Sequence, residues 1–320
     1  MTKSLALVAA LAALAIFPAQ AADTIRVGKG NPTSFSFMAP HVGMEYGIFQ
    51  KHNLTLDISG FAGATRLHQA MTADQIDIGL GSGPDMVFIA KGSPSKAIAK
   101  MAGPPLSLAI GVRPDGAINT VSDLKGKTVA VSTLGSLTYW LSRQIAVQEG
   151  WGPDGIRTAE LGTEAAQVSA LKTKQVDGIT VALDAIYVLE DKGEAKLLIK
   201  FGDRVRDFMM HAIYATNKIT EKNPDAVKRF LAAWFETIQY MKAHKAETLK
   251  VYMQVSKVPE FAASKNYDGA MDMFTTEGYF DAKSLAVLAK SYVELKQLEA
   301  EPDMAKFYTE AYLPPRKPGS

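Results

Sequence analysis

Apolar residues along this chain fall into two patterns, short continuous runs and longer stretches at helical spacing, and the two alternate. That alternation predicts strands followed by helices. The clearest instance begins at Val129 to Val131, a short apolar run suited to a strand covered on both faces. A polar turn follows, and then Leu137, Trp140, Leu141 and Ile145 recur at helical spacing, with Gly150 placed as a C-terminal cap. Three earlier strands are predicted at Thr24 to Val27, Leu54 to Ile58 and Ile76 to Leu80. The loop Gly28 to Ser36 leads from the first of these into a helix ending near His52, and Pro84 stands in the first turn of another helix, where proline is tolerated. Ser107 to Arg113 and Phe208 to Thr216 read as two further strands.

After Asn217 the pattern changes to long helices. Val227, Phe230, Leu231, Trp234, Phe235, Ile238 and Met241 form one stripe after the Asn223-Pro224 start, and Leu285, Leu288, Tyr292 and Leu295 form another after Asp281. Such stripes are core, and no chemistry is assigned to them. The whole order predicts an α/β protein of two lobes, each a mostly parallel sheet flanked by helices, with two hinge crossings near residues 112 and 214. The expected boundaries are 22–112 and 214–313 for the first lobe, 113–213 for the inserted second lobe, and a frayed tail over 314–320.

An internal match supports two similar lobes. Ala70-Met71-Thr72-Ala73-Asp74-Gln75-Ile76-Asp77 aligns without a gap to Ala170-Leu171-Lys172-Thr173-Lys174-Gln175-Val176-Asp177. Downstream of each come a strand, an acidic residue near a helix start (Asp85, Asp184) and a Lys-Gly pair (Lys91-Gly92, Lys192-Gly193).

Composition narrows the class. At 320 residues, with 47% hydrophobic and 21% charged, the chain has material for a large core in more than one domain. Lys3, the apolar run from Leu5 to Phe17, Pro18 and Ala19-Gln20-Ala21 predict a secretory signal peptide over 1–21, cleaved to leave the protein in the periplasm. No cysteine is present, which rules out a lipid-anchored lipobox and disulfide staples. The net charge of +2 gives no basic footprint for nucleic acid or an anionic membrane surface.

Several segments together resemble the sulfonate, taurine and nitrate type of periplasmic solute-binding protein. They are Glu45 to Leu54, Gln75 to Gly79, and Asp123 to Val131 followed by Gly135-Ser136. The resemblance implies a type II periplasmic-binding fold, a small-molecule ligand, an ABC transporter permease as partner, and a likeness to thiamine-precursor-binding proteins. It implies no cofactor and a monomer. One segment departs from the sulfonate pattern: Val181-Ala182-Leu183-Asp184-Ala185-Ile186-Tyr187 keeps the aspartate and aromatic residue but lacks tryptophan and proline.

A ligand on such a fold lies between the C-terminal edges of both sheets. The candidate contacts are Phe35, Ser36, Phe61, Gly81 and Ser82 from the first lobe, Thr133, Gly135, Ser136 and Asp184 from the second, and His211 on the returning strand. Hydroxyls and free N–H groups at a helix start suit a ligand oxyanion, and Asp184 suits an amino or amide group. Each glycine and serine could equally serve as turn and cap, Asp184 as an N-cap, and His211 as a core histidine. Catalytic patterns are missing: His41 and Glu45 have no HExxH context, five scattered histidines make no metal site, Val121 occupies the first-glycine position of a P-loop, and no GxSxG occurs. The reading is a binding protein for a small organic anion, not an enzyme. The alternatives are a thiamine-pyrimidine or other heterocyclic ligand, or an enzyme or sensor on the same fold.

Overall fold

The computed structural model describes residues 22–316. The segment read as a signal peptide therefore lies outside the described residues. Ten strands occur among the described residues: β1 (Asp23–Lys29), β2 (Leu54–Gly60), β3 (Ile78–Ser82), β4 (Ser95–Ala102), β5 (Leu108–Val112), β6 (Thr128–Val131), β7 (Arg157–Glu160), β8 (Gly178–Ala182), β9 (Lys196–Lys200) and β10 (His211–Thr216). They form two five-stranded sheets, ordered β2-β1-β3-β10-β4 and β7-β6-β8-β5-β9. In each sheet the strand that starts the lobe, β1 or β6, pairs in parallel with two neighbours.

The strand that crosses from the other lobe runs antiparallel to both of its neighbours. It enters at the edge where the parallel strands end, so it has to run back against them. Both sheets are therefore mixed, with one reversed strand each.

That topology moves the crossings from their predicted positions. Strand β5 belongs to the second sheet, so the chain leaves the first between Ala102 and Leu108, not near residue 112. It returns between Lys200 and His211, ahead of residue 214. The turn Pro114-Asp115-Gly116 and the change at Asn217 mark the far ends of the crossing strands. The breaker that marks the first crossing is Gly103-Pro104-Pro105.

The sequence repeat is realised in the backbone. Asp74 and Lys174 both adopt left-handed backbone, at φ 58° and 62°. Gln75 N–H donates to Ala70 O and Gln175 N–H to Ala170 O, each at 2.9 Å. Asp77 and Asp177 then clamp the first strand of their own lobes, Asp77 at mid-strand and Asp177 at its start. Asp77 accepts from Arg26 N–H at 3.0 Å and Asp177 from Thr128 N–H at 2.8 Å, while each aspartate N–H bonds back to the same strand.

The stripe read from Val227 to Met241 lies on the helix Pro224–Ala243, capped by the Asn223 side chain, and its seven residues are buried. The second stripe lies on Ala282–Glu294, capped by Asp281. The C-terminal helices also reach the second lobe. Ala262 joins that lobe's apolar cluster, and Lys265 Nζ stands 3.9 Å over the Tyr187 ring. Part of the predicted tail is held: Tyr279 donates to Pro314 O at 2.6 Å and the Arg316 guanidinium lies over its ring.

Candidate functional site

The C-terminal ends of β1, β3, β6 and β8 and the N-terminal ends of β5 and β10 meet at one cavity of about 380 Å³. Gly30 to Ser34 and Ala62 to Ala64 line it from the first lobe, and Ser132, Ser136 to Thr138 and Gly162 to Ala165 from the second. This is the crevice where an open α/β sheet receives ligands, here doubled by two facing sheets.

Three helix starts open onto it. The Ser136 side chain caps Leu137–Gln148, Thr163 caps Glu164–Lys172, and Gly63 stands before Ala64–Thr72. At the first, the hydroxyls of Ser132, Ser136 and Thr138 form a ring with each pair 3.0 Å apart. Ser136 N–H is not free, because it donates to Thr133 O at 3.2 Å. The donors left for a ligand at this helix start are the Leu137 and Thr138 N–H groups, because Tyr139 N–H donates to Ser136 Oγ and the ring takes up the three hydroxyl protons.

On the first-lobe side, buried Asp85 accepts from Ser82 N–H at 2.8 Å and from the Ser82 hydroxyl. His211 places Nδ1 3.1 Å from Gly81 O; a carbonyl only accepts, so that nitrogen carries the proton. Burial pushes the His211 imidazole down to about 4, against the pull of the Gly81 carbonyl and Asp85, so the ring is neutral at pH 7. Glu164 on the opposite wall moves the other way. Burial, then the nearby Asp184 charge, pushes its carboxyl up to about 7, and the Ala182 N–H works in the opposite direction.

Beneath the Gly30–Ser34 loop, Lys29 is buried with Nζ 2.5 Å from Pro32 O and 2.7 Å from His41 Nε2. Burial pulls this lysine down to about 8. His41 falls to about 4 through burial and the Lys29 charge.

Four of the ten candidates, Gly81, Ser82, Ser136 and His211, line the cavity. The others stand close by in different roles. Phe35 is core, packed on Tyr252, Tyr267 and Phe274. Ser36 is buried, with its Oγ 3.1 Å from Ser107 Oγ on the crossing segment. Phe61 packs on the first-lobe core and is absent from the lining, where its neighbours Ala62 and Gly63 take its place. Asp184 is buried behind the wall, accepting from Tyr252 OH.

Thr133 and Gly135 are jaw contacts. A Cβ on Gly63 would lie 2.6 Å from Thr133 Oγ1, and one on Gly135 would lie 3.9 Å from Phe88. Thr65 Oγ1 also donates to Leu134 O across the cleft at 3.4 Å, so the jaws are closed on one another. Sequence reading missed Gly30 to Ser34, Gly63 and the Thr163-Glu164 pair. The repeat held the signal, because its offset of one hundred carries Gly63 to Thr163 and Ser82 to Ala182.

No helix among the described residues is long and apolar enough to cross a membrane, and no group of three His, Cys, Asp or Glu among them could hold a metal. The fold is that of periplasmic binding proteins. The aliphatic sulphonate binding protein SsuA of Escherichia coli has a TM-score of 0.74 at 19% identity, covering 93% of this chain and 94% of that one. The desulfurization enzyme DszB has a similar fold, with a TM-score of 0.64 at 14% identity over 91% of this chain and 97% of that one. A Brucella abortus protein named only as a binding protein is 24% identical over 222 residues, 68% of this chain and 67% of its own. A family model described as NMT1/THI5 like matches residues 34–248.

Proposed function

The chain belongs to the NMT1/THI5-like family, and we propose that it is the periplasmic solute-binding component of an ABC importer. In this reading it captures a small organic acid between its lobes and delivers it to a membrane permease. The carrying observation is the cavity enclosed by strand ends of both sheets, with a hydroxyl ring and a helix start on one jaw. Neutral donors of this kind hold an oxyanion without the desolvation cost of burying a counter-charge. Contacts available from both jaws at once favour the closed state, and rotation is absorbed at the crossings 103–107 and 201–210.

SsuA of Escherichia coli, by its name, binds aliphatic sulphonates, which supports a sulfonate-like or related organic acid as ligand. A thermal-shift screen of sulfonates, carboxylates, aromatic acids and aminopyrimidines tests the reading, since a ligand that binds only the native state raises Tm. Stoichiometric binding without chemical change of the compound is the expected result. The DszB likeness favours an enzyme as the second reading, and turnover of a tightly bound compound would establish it instead.

A further inference from the structure

Lys29 ends β1 and stands directly behind the cavity wall. It is 3% exposed, and its ammonium lies 2.5 Å from the carbonyl oxygen of Pro32, a residue of the lining. Its other partner is His41 Nε2, at 2.7 Å. An ammonium only donates, so that nitrogen accepts and the His41 ring is neutral. Both partners are therefore uncharged, and the third ammonium proton has no acceptor among the described residues. A buried cation in this state is costly unless an opposite charge reaches it.

The fold supplies no such charge. The strand neighbours in register with Lys29 are Gly60 on β2 and Leu80 on β3. The helix Ala39–Glu45 presents His41, while its Glu45 is exposed. The helix Lys245–Ser256 reaches the loop after Lys29 through the Ser256 hydroxyl, which donates to Thr33 O. On the other cavity walls His211 is neutral, Asp85 accepts from Ser82 within its own capping box, and Glu164 accepts from Ala182 N–H. None of these groups forms an ion pair with Lys29.

The loop that covers Lys29 meets the hydroxyl jaw. Gly30 O accepts from Gly63 N–H at 2.9 Å, and Gly63 packs on Thr133, between Ser132 and Ser136. Closure therefore sets the wall over the buried charge against the jaw that receives an oxyanion.

We propose that Lys29 is the specificity-determining cation of the site, and that the ligand's anionic group, received between the Ser132–Thr138 jaw and the Gly30–Ser34 loop, is the counter-charge that this ammonium lacks within the fold. The inference rests on the solute-binding reading and names the residue that makes the site select acids over neutral molecules. Burial holds Lys29 near 8 in the empty cavity, and an anion across the loop raises it. Affinity for an acid is therefore full below pH 8 and falls as pH rises above it, and binding in that upper range takes up a proton.

Acids and their neutral isosteres test this: ethanesulfonate against ethanesulfonamide, propanoate against propanamide, and benzoate against benzamide. Titration calorimetry on the wild type should show the acid of a pair binding about tenfold tighter at pH 7 and losing about tenfold between pH 7.5 and 9.5. Near pH 8.5 the heats should depend on the buffer's ionisation. Lys29→Met, which keeps the length and removes the charge, should lose the preference, the pH dependence and the proton uptake. Lys29→Arg should keep the preference and lose the pH dependence, since a guanidinium does not titrate in this range.

An acid whose affinity is unchanged between pH 7.5 and 9.5, or a preference unchanged in Lys29→Met, overturns the role of Lys29 and leaves the solute-binding reading standing. Failure of all six probes to bind folded wild-type protein overturns the organic-acid reading and this inference with it.

Discussion

Gly63→Ala gives a direct handle on closure of the two jaws. The added Cβ would lie 2.6 Å from Thr133 Oγ1, 2.8 Å from its Cγ2 and 3.2 Å from its Cβ, where ordinary contact begins at 3.4 Å. Rotating the threonine does not relieve the overlap, because its Cβ is itself too close. The jaws must separate by something near the missing 0.8 Å, the difference between 3.4 and 2.6 Å. Gly63 sits at φ +101°, so alanine strains the backbone in open and closed states alike and that part cancels.

The collision exists only when the jaws meet. At about 2 kcal/mol for an overpacked contact, closure and ligand affinity fall about thirtyfold. The chain has no cysteine, so Lys91→Cys and Lys192→Cys, exposed positions on opposite lobes, accept spin labels without background. Pulsed electron resonance should show a longer interlobe distance in Gly63→Ala. Adding Thr133→Ala, which removes the Oγ1 and Cγ2 contacts and leaves only the 3.2 Å approach of its Cβ, should return the distribution most of the way to the wild type. An unchanged distance in Gly63→Ala would refute the view that Gly63 and Thr133 form a closure contact.

Two further predictions concern stability. Trp140 is fully buried, with its ring 4.2 Å from Phe208 on the returning crossing, so Trp140→Ala should cost about 3–5 kcal/mol in urea unfolding; a loss below about 1 kcal/mol would contradict that packing role. Between pH 7 and 5 two cavity groups act in opposite directions. His211, held near 4 against an ordinary 6.5, stays neutral in the fold while the unfolded chain takes up a proton, so it lowers stability by about 2 kcal/mol at pH 5. Glu164, raised to about 7, binds its proton in the fold first and adds stability over the same window. Glu164→Gln should therefore lose stability on acidification more steeply than His211→Asn, and equal slopes in the two variants would contradict the assignment.

The sequence carried the architecture because burial writes a period into each element. Val129 to Val131 reads as a two-sided strand and is fully buried, and the stripe from Val227 to Met241 lies on one helix. The repeat was legible because its turn needs left-handed backbone and its aspartate clamps a strand N–H, and both constrain residue type. The crossings were misplaced because β5 and β10 look like any other apolar strand. Which sheet a strand joins depends on partners far away in the chain.

The site was half legible for a related reason. Gly81, Ser82, Ser136 and His211 sit at strand and helix ends, where local pattern points to the cleft. Phe35 gives no such clue, since an aromatic residue after a polar loop suits either a pocket wall or the core that it joins. Glu164 escaped notice because a glutamate in the first helical turn is ordinary cap chemistry. Only the fold sets it beside Asp184 with no cation in the lining.

The central claim is that a small molecule closes two lobes hinged at 103–107 and 201–210. Small-angle scattering of the protein, with and without a saturating amount of the compound that most raises its Tm, tests it most directly. The account predicts a smaller radius of gyration in the bound sample. An identical radius in both samples, with binding verified by calorimetry, would contradict it.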